Sequence, residues 1–144
     1  EVVRLIADIE KFLGFDNLSD AVIVGAGGLG KAFLGYEGFK SNGLNIVAAF
    51  DVDLRIVGEE IAGKKVYPMD KFSDFVQHKK INIGIITVPK AAAQETLDTM
   101  VRAGIKAVWN FAPAPLRVPK GIILKNEDLS ASLALLAGEL SKGR

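Results

Sequence analysis

The amino-acid sequence predicts an α/β protein built on an open, doubly wound, mostly parallel sheet. Short runs of β-branched and other apolar residues, such as 21–24 and 81–88, alternate along the chain with segments of helical periodicity. Glycine, aspartate or proline follows these runs, and such residues punctuate strands. Strands that alternate with helices form parallel sheets through right-handed crossovers, with helices on both faces.

The first half of the chain is predicted from its apolar spacing. Apolar residues recur at helical spacing before Gly14, and a β-branched run then precedes Gly25. The glycines from Gly27 onward open a helix, which Asn42-Gly43 ends, and Pro68 follows a brief edge-type strand. The predicted elements are a helix over 1–15, a strand over 21–24, a helix over 27–40, a strand over 45–50, a short helix over 53–60 and a strand over 65–67.

The second half follows the same alternation. One face of the segment before His78 is apolar, Pro89 stops the strongest strand of the chain, and Gly104 ends the helix that follows it. A proline-rich loop separates the last two strands. The predicted elements are a helix over 69–79, a strand over 81–88, a helix over 90–103, strands over 105–109 and 121–124, and an apolar helix over 129–141.

Composition narrows the class of protein. The chain has 144 residues, a net charge of +1 and no cysteine. One domain of this size buries a sufficient core without disulfides, and the absence of cysteine fits a reducing, cytoplasmic setting. A near-zero net charge offers no electrostatic reason to bind nucleic acid or an anionic membrane. No apolar run approaches the ~20 residues that span a bilayer.

A glycine-rich turn is the most informative motif. Gly25, Gly27 and Gly30 match G-x-G-x-x-G between a predicted strand and a predicted helix. The first glycine permits the tight turn, the second lets the backbone approach a diphosphate, and the third lets the helix pack close to the sheet. The motif predicts a Rossmann-type dinucleotide-binding domain, although glycine-rich turns also occur for purely structural reasons.

An acidic residue at the end of the second strand specifies the dinucleotide. Asp51 lies 21 residues after Gly30, where a carboxylate accepts hydrogen bonds from the adenosine ribose and repels a 2′-phosphate. Val52 follows it, so no base stands beside the acid, while Arg55 is the nearby base that would favour NADP instead. Asp53 suits a helix-capping role. NAD(H) is therefore the expected cofactor.

The sequence offers no well-placed acid–base residue of the kind that a dehydrogenase needs. A dehydrogenase needs a proton donor or acceptor beside the nicotinamide. His78, the only histidine, lies at a predicted helix end just before a strand, away from the ligand crevice at the carboxyl ends of the strands. Lys90 is better placed, but a solvated lysine in the first turn of a helix is the simpler interpretation. Binding without turnover indicates a sensor rather than a catalyst.

Five segments together resemble the Rex family of redox-sensing transcriptional repressors. They are GAGGLGKAFLGYEGF, IVAAFDVD, ITVPKAAAQ, AGIKAVWNFAPAPLRVP and NEDL, and the likeness covers residues 1 to about 141. The resemblance implies a cytoplasmic homodimer in which NADH releases operator DNA and NAD⁺ competes. It also implies that the winged-helix DNA-binding domain lies outside this chain. The expected divisions are a linker helix over 1–15, a Rossmann domain over 16–125, and a dimerisation helix and tail over 126–144.

The resemblance also assigns roles to individual residues. Tyr36 matches a tyrosine that responds to nicotinamide, and Asp128 matches an aspartate that contacts the partner's switch residues. The final helix matches one that is exchanged between subunits, with Leu129, Leu133, Leu136 and Leu140 on one side. The expected cofactor-binding residues are Gly25, Ala26, Gly27, Gly28, Leu29, Gly30, Tyr36, Asp51, Val52, Thr87, Val88, Pro89, Asn110, Phe111, Ala112 and Pro113.

Purely structural interpretations remain open for several of these residues. Asn110 in a loop often bonds only loop backbone, and Phe111 or Tyr36 on a packed element is often core. Two other functions also remain open. One is the cofactor domain of an NAD-dependent oxidoreductase, which the missing acid–base group argues against. The other is a coenzyme A-binding Rossmann module, whose ribose 3′-phosphate a carboxylate at position 51 disfavours. No metal site is expected.

Overall fold

A computed structural model describes residues 18–127, which form a seven-stranded sheet covered by helices. The strand order is β3-β4-β2-β1-β5-β6-β7, and every pairing is parallel except that of β3 with β4. The elements in chain order are β1 (Ser19–Val24), α1 (Gly28–Leu34), α2 (Gly38–Ser41), β2 (Leu44–Asp51), β3 (Glu60–Ile61), β4 (Lys64–Pro68), a 3₁₀ turn (Met69–Lys71), α3 (Phe72–Lys79), β5 (Ile83–Ile86), α4 (Lys90–Ala103), β6 (Ala107–Asn110) and β7 (Ile123–Asn126).

The predicted doubly wound α/β architecture is confirmed. Successive residues of the central strands point to opposite faces, so Ile23 joins one core cluster while Val22 and Val24 join the other. Helices α1 and α2 cover the first cluster with Leu34 and Phe39, and α3 and α4 cover the second. A sheet buried on both faces explains why its strands are continuous apolar runs rather than alternating ones.

The predicted single helix over 27–40 is wrong, because the structure divides it into α1 and α2. The Gly35 N–H closes the last turn of α1 on the carbonyl of Lys31, and the chain then bends before Gly38. The bend turns Phe39 into the core, where it is 5% exposed and packs edge-on against Phe33. A Cβ on Gly38 would overlap the ring of Tyr36, so the glycine makes room for that ring.

The predicted helix over 53–60 and the edge position of the next strand are both wrong. Residues 53–59 form turns, which begin where the Asp53 carboxylate accepts the Arg55 N–H. The chain then makes a hairpin of β3 and β4 through Ala62 and Gly63, whose φ values are 51° and 80°. Two residues of positive φ fit a primed turn, but Ala-Gly lacks the Asn-Gly or Asp-Gly signature that reveals one. The edge is therefore β3, and β4 lies inside it.

The remaining elements differ mainly in their ends. Helix α4 has the predicted bounds, and Gly104 ends it with a φ of 105°. The strand predicted over 81–88 is shortened to β5, and those predicted over 105–109 and 121–124 begin two residues later, as β6 and β7. Asn126, predicted to start the C-terminal segment, still pairs with Asn110 in the sheet. The helices predicted over 1–15 and 129–141 lie outside the described residues.

Candidate functional site

The principal cavity lies at the carboxyl ends of the central strands. Its volume is about 700 Å³. Ligands of open α/β sheets bind in this position, where neighbouring strands send their helices to opposite faces. The residues that line it are Val24, Gly25, Gly27, Asp51, Val52, Met69, Asp70, Thr87, Val88, Pro89, Ala92, Glu95, Thr96 and Thr99.

Two glycines of the motif are required by the fold itself. Gly25 has a φ of 106°, and a Cβ there would lie 2.6 Å from the carbonyl oxygen of Thr87. A Cβ on Gly30 would overlap the carbonyl oxygen of Gly25. The Thr87 hydroxyl donates to that same Gly25 oxygen over 2.6 Å and so fastens the turn to the end of β5. These contacts leave no room for a side chain at either position.

The remaining motif glycine, Gly27, and the adjacent Gly28 have open space where a side chain would be. A Cβ on Gly27 or Gly28 would have no neighbouring atom within 4 Å, and Gly27 lines the cavity. Lys31 is the first residue of α1 whose N–H donates within the helix, to the carbonyl of Gly27 over 2.9 Å. The N–H groups before it, those of Gly28, Leu29 and Gly30, have no intrahelical acceptor. The open side of this turn fits a group that approaches the backbone closely.

Asp51 is held against the glycine turn. One carboxylate oxygen accepts the Ala26 N–H over 2.7 Å, and the other accepts the Asp53 N–H over 2.8 Å. Each carboxylate oxygen has two acceptor sites, so both oxygens can still accept a hydroxyl from the cavity. The sequence predicted the acid but not its bond to Ala26, because the motif assigns Asp51 to the ribose and does not specify which backbone N–H its carboxylate accepts.

Arg55 is occupied by Asp53. Its Nε and Nη2 donate to the two carboxylate oxygens of Asp53 over 3.0 and 2.9 Å, and its backbone N–H donates over 2.9 Å. The hydrogen bonds from Arg55 lower the pKa of Asp53 from its ordinary value near 3.8. The carboxylate is therefore ionised throughout the neutral range. The capping role expected of Asp53 is wrong in its element, since the acid closes a turn rather than a helix.

Several lining residues were missed by the sequence analysis. Two of these residues, Met69 and Asp70, follow β4, and the remaining four, at positions 92, 95, 96 and 99, project from one side of α4. The available signal was helical spacing, since positions 92, 95, 96 and 99 share one face. Among the described residues that line the cavity, three are carboxylates and none is basic, so the walls disfavour an additional phosphate. The missed residues are Met69, Asp70, Ala92, Glu95, Thr96 and Thr99.

The end of β6 and the loop that follows it are held by hydrogen bonds and packing within the protein. Asn110 is 1% exposed, and its amide donates to Ala112 O and Asn126 Oδ1 over 3.1 and 3.0 Å. Its Oδ1 accepts the Ala112 N–H over 2.9 Å. Phe111 packs against Trp109 with ring centroids 4.7 Å apart, Ala112 is buried, and Pro113 is exposed. None of the residues 110–113 lines the cavity.

Tyr36 also lies apart from the cavity. The residue is 58% exposed, its ring packs edge-on against that of Phe39, and it borders a separate pocket of about 230 Å³. The other expected site residues divide into two groups. Thr87, Val88 and Pro89 line the principal cavity, as does Val52, which is 79% exposed at its mouth. The expected partner and switch residues lie outside the described residues: Asp128, Leu129, Leu133, Leu136 and Leu140.

Two further properties concern the whole described region. Between residues 18 and 127, no helix is long and apolar enough to cross a membrane. The same stretch contains no group of three or more histidine, aspartate or glutamate side chains that could hold a metal ion.

Sequence comparison matches the chain to one family model and to individual curated proteins. The family model described as the CoA binding domain matches residues 16–114. A redox-sensing transcriptional repressor Rex from Treponema denticola is 48% identical over 94% of this chain and 64% of its own length. The Rex of Clostridioides difficile is 43% identical over 99% of this chain and 68% of its own length. The chain thus spans about two thirds of the length of these relatives, and they are named as repressors rather than as enzymes.

Solved structures agree with the sequence comparison. The Rex-family repressor RSP in complex with β-NADH superposes with a TM-score of 0.82 at 41% identity, over 97% of this chain and 68% of its own. RSP in complex with β-NAD⁺ and operator DNA superposes with a TM-score of 0.81 over 97% of this chain and 64% of its own. The chain therefore belongs to the Rex family of redox-sensing repressors and carries the domain that the CoA binding domain model describes.

Proposed function

We propose that this chain is the NAD(H)-binding, redox-sensing part of a Rex-type transcriptional repressor. The observation that carries the proposal is the pairing of Asp51 with the open glycine turn. The Asp51 carboxylate at the end of β2 accepts the Ala26 N–H from the neighbouring turn after β1. In that turn the missing side chain of Gly27 leaves a space that no described protein atom fills.

The residues present fit a dinucleotide. In this proposal the Asp51 carboxylate accepts the adenosine ribose hydroxyls, and the backbone of Gly27 and Gly28 lies against the diphosphate. Val88 and Pro89 supply apolar cavity wall beside them. The bound cofactor supplies a nicotinamide whose charge depends on its oxidation state. Asn110 acts by holding the loop that carries Phe111 and Ala112, which we assign to the nicotinamide side together with Pro113 and Tyr36.

Preference for NADH follows from the charge of the ring. Oxidised nicotinamide carries a positive charge that reduced nicotinamide lacks, and an apolar surface disfavours burying an unpaired cation. The carboxylates Asp51, Asp70 and Glu95 would attract that cation if the ring lay among them. The apolar ring site is therefore assigned to the neighbourhood of Phe111 and Ala112.

Regulation in this proposal is a linkage between two ligands. NADH binds the DNA-released form of a homodimer more tightly than the DNA-bound form, so NADH shifts the population toward release. The relatives' names and the two RSP complexes, one with NADH and one with NAD⁺ and operator DNA, support this assignment. A repressor acts in the cytoplasm, and its DNA contact belongs to a winged-helix domain that precedes residues 1–15. The final helix, with Asp128, would serve the dimer.

Coenzyme A is the second candidate, because the matching family model bears its name. The cavity opposes it. Coenzyme A carries a 3′-phosphate on the ribose that Asp51 would face, and the described lining holds Asp70 and Glu95 but no base. Turnover of a substrate is not proposed.

Calorimetric titration with NADH, NAD⁺, NADPH and coenzyme A in parallel tests the function. We expect NADH to bind at least tenfold more tightly than NAD⁺, with NADPH and coenzyme A weaker than NADH. Coenzyme A binding without an NADH response would overturn the assignment. Equal NADH and NAD⁺ affinities would remove the sensing role while leaving the cofactor.

A further inference from the structure

Arg55 is a base close in sequence to the acid that ends β2, and a base near that acid can change the cofactor preference of a Rossmann domain. In Rossmann domains a carboxylate at the end of the second strand selects NAD, and a nearby arginine accommodates the 2′-phosphate of NADP. This chain has both, because Asp51 ends β2 and Arg55 lies four residues further on. The side chain of Arg55 is 89% exposed, so packing does not hold it. Its charge is available unless another group occupies it.

Asp53 is that group. Its carboxylate receives Nε, Nη2 and the backbone N–H of Arg55, the last closing a tight turn. The Asp53 N–H in turn donates to Asp51 over 2.8 Å. The two acids are thus joined through one backbone bond, and the ion pair is built on the same turn as the ribose acid. A planar guanidinium held at two nitrogens by one carboxylate has less capacity left for a phosphate.

We propose that Asp53 is a specificity-determining positioning residue, which keeps Arg55 from receiving a 2′-phosphate and so enforces the choice of NAD(H). This inference rests on the proposed function and deepens it. Asp51 repels the extra phosphate directly, whereas Asp53 acts through Arg55. The preference for NAD(H) then depends on Asp53 as a second acid, in addition to the glycine motif and Asp51.

The test compares Asp53→Asn, Arg55→Gln and the double variant. Asparagine retains a side-chain oxygen that accepts the Arg55 N–H, so the turn is preserved while the ion pair is lost. We expect Asp53→Asn to raise the affinity for NADPH relative to NADH about fivefold, the size of one exposed ion pair. Arg55→Gln alone should leave the ratio unchanged, and the double variant should return it to the wild-type value. Glu60→Gln, which removes one charge from β3, is the matched control.

Fragment binding separates the inference from the proposed function. AMP and adenosine 2′,5′-bisphosphate lack nicotinamide, so their ratio reports the ribose site alone, and it should change with Asp53→Asn as the NADPH ratio does. An unchanged ratio in Asp53→Asn, or a gain that persists in the double variant, would overturn the inference while NADH binding stands. A wild-type chain that binds neither dinucleotide nor either fragment would overturn both proposals.

Discussion

At the carboxyl ends of β1 and β2, backbone and carboxylate groups keep hydrogen-bonding capacity beside open space. At the ends of β6 and β7, by comparison, the side chain of Asn110 uses its hydrogen-bonding capacity within the protein. Gly27 and Gly28 border open space, and Asp51 retains acceptor capacity after two backbone bonds. Asn110, by contrast, makes three bonds within the protein and is buried. Both regions carry motifs of the same family, so a motif alone does not distinguish a residue that binds from one that supports.

The first way to break this comparison is Gly30→Ala. A Cβ at this position overlaps the backbone of Gly25, which cannot move without disturbing the turn. We expect the free energy of unfolding to fall by about 3 kcal/mol, as for an overpacked core site. Chemical denaturation measures it. Gly28→Ala in the same helix is the control and should stabilise by about 0.5 kcal/mol, because its Cβ meets nothing. Equal stabilities in the two variants would contradict the steric assignment.

The second is Asn110→Ala. Removing the amide leaves Ala112 and Asn126 without their partners, so the free energy of unfolding should fall by about 2 kcal/mol. Asn126→Ala breaks only one of those bonds and should cost about half as much. Denaturation of both variants, with NADH titration of each, provides the measurement. A stable Asn110→Ala chain that no longer binds NADH would move this residue from support to direct contact.

The third is Asp51→Ala, which sharpens the open side of the comparison. Loss of the charged acceptor for the ribose hydroxyls should weaken NADH about tenfold and reduce the discrimination against NADPH. Titration calorimetry measures both affinities. Asp74→Ala, an acid on α3 that does not line the cavity, is the control and should change neither. Unchanged NADH affinity in Asp51→Ala would refute the ribose role.

The smallest expected effect is that of Gly27→Ala. The added methyl enters space that no described protein atom occupies, so the free energy of unfolding should stay within about 0.5 kcal/mol of wild type. The same methyl would meet a diphosphate and weaken NADH about fivefold. Denaturation and titration on one preparation separate these effects. A destabilised variant, or one that binds NADH normally, would show that the glycine serves the fold instead.

The sequence predicted most elements because their signals are local. Helix α4 has the predicted bounds, since Pro89 and Gly104 punctuate it in the chain itself. The sequence did not predict the division of 27–40 at Gly35, because that bend turns Phe39 into the core. There the ring of Phe39 packs against Phe33 and Trp109, which come from two different elements. The α4 residues that line the cavity were missed for a related reason. Thr96 and Thr99 look like ordinary helix positions until the helix is placed beside β5.

The sequence by itself determined the alternation of strands and helices, the glycine turn, and the acid at the end of β2. These depend on periodicity, on backbone conformations open to glycine, and on chain spacing, all of which are local. Only the tertiary structure decided that Asp51 bonds Ala26 and that Asn110 joins β6 to β7. Such bonds depend on which strand ends lie side by side and on where each turn directs its side chains. Parallel pairing brings distant residues together, and no spacing along the chain records that.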